Sequence, residues 1–138
     1  MEAVPHQVVA TYTMSSKLTT KILADKINSE LTKIKERFAK VTEAGKDKVD
    51  VKVTKSGIAV NLLVTINVDD EAAAATARSK LPRYPIPTEH LWGGVPSKSI
   101  GGQATMAGVQ VGALMEARKR KDTHWKTYPK EDRGEAAA

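Results

Sequence analysis

Two runs of alternating side chains, joined by three residues, constrain the fold more than any other feature of this sequence. In residues 48–54, KVDVKVT, Val49, Val51 and Val53 alternate with Lys48, Asp50, Lys52 and Thr54. After Lys-Ser-Gly comes IAVNLLVTINV, in which Ile58, Val60, Leu62, Val64, Ile66 and Val68 share one face. Ala59, Asn61, Leu63, Thr65 and Asn67 take the other face. Extended chain sends successive side chains to opposite sides, so both runs read as strands. The short link containing Gly57 makes them a β-hairpin. One face alone is strongly apolar, which requires a covering layer on one side.

The material for that layer precedes the hairpin. Leu23, Ile27, Leu31, Ile34, Phe38 and Val41 recur at spacings of three and four, the stripe of a helix over about residues 16–43. Lys26, Lys33, Glu36 and Lys40 fall opposite. Ser15 or Ser16 is the expected N-cap, because a hydroxyl can accept from first-turn amides. Gly45 is the expected stop. Before the helix, Val8, Ala10, Tyr12 and Met14 alternate within residues 7–14, predicting a strand. After the hairpin, Asp69 or Asp70 can cap a helix over EAAAATARSKL, which Pro82 ends. The expected fold class is therefore α+β: a β-α-β-β-α layer over residues 1–81, with the long helix packed on an antiparallel hairpin.

The next stretch changes character. Between residues 82 and 102 fall Pro82, Pro85, Pro87, Gly93, Gly94, Pro96, Gly101 and Gly102. Proline removes an amide donor and glycine admits turns, so regular structure is disfavoured. Yet Tyr84, Ile86, Leu91, Trp92, Val95 and Ile100 need burial. Linkers are usually polar, and this one is not. It reads either as a lid on its own domain or as an arm docked on a neighbour. The arm is favoured, since aromatic anchors on stiff chain lose little entropy on docking. Residues 103–121 read as a helix with a basic end. Met106, Val109, Ala113 and Ala117 form one stripe, and Ala104, Gly108 and Gly112 form a small-residue face. The two internal glycines disfavour a helix, so a strand over GVQVGALM is the alternative. Residues 122–138 read as a polar tail.

Motifs for catalysis are lacking. The sequence has no cysteine, which removes thiolate ligands and a thiol nucleophile. His6, His90 and His124 have no paired spacing. GGVPSKS has the wrong order for a phosphate loop, and Pro96 removes an amide such a loop would use. Ser97 and Ser99 near His90 lack a nucleophile elbow or a Ser-x-x-Lys pattern. No cofactor, metal or small-molecule substrate is expected. No apolar run is long enough to span a membrane. The early Glu2 and the lack of a basic stretch before an apolar one give no signal peptide, so an intracellular origin is expected.

Charge points to one further partner class. The formal net charge is +6. The segment 118–130, RKRKDTHWKTYPK, holds six basic groups against Asp122. Arg118, Lys119, Arg120, Lys121, Trp125, Lys126 and Lys130 interleave cations with an aromatic, a pattern suited to phosphates and stacked bases. No G-x-x-G occurs and the strands lack paired stacking aromatics, so any such binding would come from the tail.

The expectation is a non-enzymatic structural subunit of a larger assembly. It would contact further copies or other structural proteins through Tyr84, Ile86, Leu91, Trp92, Val95 and Ile100. In general organisation the chain is similar to small structural proteins of tailed-phage particles, such as those of the neck or capsid, though no motif carries that likeness. A place in the cytoplasm or in a virion (head, neck or tail) follows from this reading. A nucleic-acid-binding module acting through residues 118–130 is the alternative, and an enzyme without a readable motif is the third reading.

Overall fold

The computed structural model describes residues 4–15, 19–57, 59–90, 102–114 and 123–127. Strand β1 (His6–Met14) leads into two helices, α1 (Thr20–Ser29) and α2 (Leu31–Thr42). The hairpin β2 (Val49–Ser56) and β3 (Ala59–Val68) follows, then α3 (Glu71–Lys80). Strands β4 (Ile86–Pro87), β5 (Gln103–Leu114) and β6 (Thr123–Thr127) complete the described elements. All described strand pairs are antiparallel, in the order β2-β3-β1-β5-β4, and β6 also pairs with β5. The expected α+β class holds in this form.

The hairpin forms as its alternation requires. Ser56 pairs with Ala59, leaving Gly57 and residue 58 as the link. Gly57 has φ +60°, a conformation glycine adopts without steric penalty. Ile58 lies outside the described residues. Val60, Leu62, Val64 and Ile66 are buried, and so are Val8, Ala10, Tyr12 and Met14 on β1. These side chains meet Leu23, Ile27, Ile34 and Phe38 of the helices in one core. Full burial of a large apolar side chain contributes about 1.5–3 kcal/mol, so this stripe supplies much of what holds helices to sheet. On the sheet's other face, Val9, Thr11, Asn61, Leu63 and Thr65 are half-buried, while Asp50, Lys52 and Thr54 are exposed.

The helical segment differs from the expected single helix. It divides at Glu30, whose φ −114° and ψ 12° are not helical. The Ser29 hydroxyl donates to the Lys26 carbonyl at 2.6 Å, and the Glu30 amide donates to Ile27 rather than continuing the α pattern. A serine that bonds local backbone competes with the helix in this way. The resulting two helices share β2 but differ in their second neighbour: α1 also reaches β3, while α2 also reaches α3. The N-cap is Thr19, which accepts from the Ile22 amide at 3.3 Å, and not Ser15 or Ser16. Ser15 instead bonds Gln103 of β5. The stop comes at Glu43, φ 59°, and not at Gly45. Ala44 and Glu43 donate to Ala39 and Lys40, the paired closure of a Schellman motif. For α3 the cap is Asp70, which accepts from Ala73 at 2.7 Å.

The larger correction concerns residues 103–114, which form strand β5: the alternative reading of a strand over GVQVGALM holds, with wider bounds, and the favoured helix does not. Met14 through His6 pair with Ala104 through Ala113 along the free side of β1. The register shifts between Thr11 and Tyr12: Thr11 faces Gly108 and Tyr12 faces Met106. Ala107 is thus the extra residue of a β-bulge, and parity changes across it. Ala104 and Met106 point inward before the bulge, and Val109 does after it. A step of three between Met106 and Val109 looks helical in sequence, but here the bulge produces it. Gly108, unfavourable in a helix, is tolerated beside β1, where an added Cβ would meet nothing within 4 Å. The sheet and its core therefore include a strand from beyond residues 1–81.

Candidate functional site

The Pro/Gly-rich stretch is tied to the domain at its start. The Tyr12 hydroxyl donates to the Pro82 carbonyl at 2.7 Å. Tyr12 is fully buried against Phe38, ring centroids 5.6 Å apart. Burial pushes its phenol well above the ordinary range, so it stays a donor. Arg83 and Pro82 are half-buried, and Tyr84 then turns outward, 65 % exposed. Ile86 turns inward, 6 % exposed, where β4 pairs it with Ala104.

The next rung closes the base of a loop. The Thr88 amide donates to the Gly102 carbonyl at 3.0 Å. The side chain of Thr88, wholly buried, donates to the Ser15 carbonyl at 3.4 Å. Ser15 in turn donates through its amide to Gln103 at 2.9 Å. The end of β1, the end of β4 and the start of β5 are thus joined at one point. Residues 88 and 102 are thereby held side by side. A 3-10 turn, Thr88–His90, follows, and His90 is exposed.

Of the side chains singled out from sequence, Tyr84 lies on the surface at this base and Ile86 lies beneath it. Leu91, Trp92, Val95 and Ile100 lie outside the described residues. So do Arg118, Lys119, Arg120, Lys121 and Lys130, as well as Ser97 and Ser99. Trp125 and Lys126 belong to β6, at the register positions opposite Gly112 and Val111. The part of the basic segment that contains them is therefore a sheet strand. The clamp residues Ser15, Thr88, Gly102 and Gln103 had no recognisable signal in sequence. Thr88 is 73 positions from its Ser15 partner, and nothing local marks it.

Elsewhere, a shallow groove between the end of α2 and the start of α3 is lined by Glu43, Asp47, Lys48, Asp69 and Ala73, among others. Among the described residues no group of three or more His, Asp or Glu side chains could hold a metal ion. No described helix is long and apolar enough to cross a membrane. No protein-family model, curated protein or solved structure matches the chain, so the functional reading rests on its own residues and geometry.

Proposed function

We propose that this chain is a non-enzymatic structural subunit of a larger protein assembly, which meets its neighbours through residues 89–101. The observation that carries this reading is the Thr88–Gly102 closure. It fixes both ends of a segment that contains Leu91, Trp92, Val95 and Ile100 to one rigid corner of the sheet. Side chains of this kind, held on a fixed base, lose less entropy on docking than they would on a free arm. Exposed Tyr84 extends the same surface from the base. A virion component of the tailed-phage kind is the particular setting that the general organisation resembles.

The test is the solution mass of purified, nuclease-treated protein and of its Trp92→Ala variant. Loss of oligomer mass or of particle incorporation, with an unchanged melting temperature, is the expected result. A variant that instead melts as an isolated domain would make the stretch a lid on its own fold and end this reading. A second reading, nucleic-acid binding through residues 118–130, is favoured by the pairing of β6 with β5, which gives the tail's Trp125 and Lys126 a fixed backbone. It predicts salt-dependent binding that disappears when Arg118, Lys119, Arg120 and Lys121 become alanine.

A further inference from the structure

The strand order leaves β2 at one end of the sheet, and no described strand lies on its outer side. Among the described residues no strand pairs with its backbone on that side, the usual hazard of an edge strand. Natural edges are often protected by charge placed to repel a second copy. On β2 the charges are arranged differently. Asp50 and Lys52 are exposed neighbours on the open face, and Val49, Val51 and Val53 alternate with them on the helix-covered face.

We infer that β2 pairs with β2 of a second copy, antiparallel, about a twofold axis at Val51. This register sets each Asp50 opposite the partner's Lys52, each Val49 opposite the partner's Val53, and Val51 opposite itself. Lys55 comes to the end where the other copy turns through Asp47. Registers centred one residue away do the reverse. An axis at Asp50 puts Asp50 on Asp50 and Lys48 on Lys52, and an axis at Lys52 puts Lys52 on Lys52. Opposite charges across a strand pair stabilise and like charges destabilise, so the side chains select the Val51 axis. An even register also keeps both helix layers on one side of the joined sheet. Five strand residues of each copy, 49–53, form the pair. Such a pair buries less than the roughly 1,200 Å² of a stable interface, so the contact is weak between free copies and gains where an assembly holds them side by side. The inference deepens the assembly reading and rests on it for its partner class, but it uses none of residues 89–101.

The experiment is sedimentation of the full chain over a concentration series at low salt. Wild-type mass should rise from 14.9 kDa toward twice that value. Asp50→Lys and Lys52→Asp should each raise the dissociation constant roughly tenfold, since each turns two opposite pairs into like ones. The double variant D50K/K52D should restore it. The sequence lacks cysteine, so Val51→Cys provides a second readout. It should cross-link copies under mild oxidation, because axis-related Cα atoms in a strand pair are within disulfide range, whereas Thr54→Cys should not. A mass fixed at 14.9 kDa with no Val51→Cys cross-link overturns the inference. A mass that rises but ignores both charge swaps also overturns it. In that case a response to Trp92→Ala keeps the assembly reading and moves the contact to the loop.

Discussion

Two antiparallel pairs at opposite ends of the sheet are built by different means. The β2–β3 pair is joined through Gly57 and residue 58, and every inward residue is announced by alternation. The β4–β5 pair is joined through residues 88–102, with only Ile86 and Pro87 to form β4. Closing the longer loop costs about 1.5 kcal/mol more in chain entropy. Nothing local offsets this. The offset comes from β1, which templates β5 along its whole length, and from Tyr12 and Thr88, which fasten residues 82–88. A hairpin fixed by its own turn is stable early and locally. A hairpin fixed by its neighbours can carry a long excursion, at the expense of depending on the rest of the core.

The largest expected effect removes what both pairs share. Phe38→Ala should destabilise the domain by about 3–5 kcal/mol, because the ring is buried against Tyr12 beneath the sheet. Urea unfolding would show it, and a loss under 1 kcal/mol would mean that the core does not depend on this contact.

A smaller change separates the two pairs. Tyr12→Phe keeps the ring but leaves the Pro82 carbonyl without its donor, a loss of about 1.5 kcal/mol. Hydrogen exchange should accelerate at Thr88 and not within β2–β3. The phenol's pKa is raised in the folded state, so above its ordinary value of 10.0 the unfolded chain ionises first and stability falls. Tyr12→Phe should remove that alkaline loss, and equal alkaline melting of the two proteins would count against the buried donor.

Gly57→Ala tests the opposite pair. The added Cβ meets nothing within 4 Å, so only the positive φ is strained, at about 1 kcal/mol. The exchange protection of β2–β3 should drop first, leaving Thr88 unchanged; the reverse order would erase the contrast between the pairs. The smallest effect lies on the surface. Lys46 hydrogen-bonds Glu36 at 2.8 Å and holds its carboxyl below the ordinary value of 4.5. The stabilisation is present above that value and is lost as pH falls through the lowered one. The difference in melting temperature between wild type and Glu36→Gln should be slight at neutral pH. It should vanish in acid and shrink in high salt, since both groups are exposed. A difference that persists in acid would assign the effect to something other than the ion pair.

Local pattern by itself determined the hairpin, the inward face of β1, an aspartate cap for α3 at residue 69 or 70 and the apolar stripe of α1 and α2. Each of these is encoded by neighbours within a few residues, and the energetics that select them are local too. Only the tertiary structure decided the rest. The helix expected from the spacing of Met106 and Val109 became a strand because β1 had a free edge, and the Ala107 bulge gave that strand a helix-like step. The helical segment split at Glu30, which lets α1 meet β3 and α2 meet α3 while both rest on β2. The clamp at Thr88 joins residues more than 70 positions apart, a distance at which sequence spacing carries no information and only folding brings the groups together.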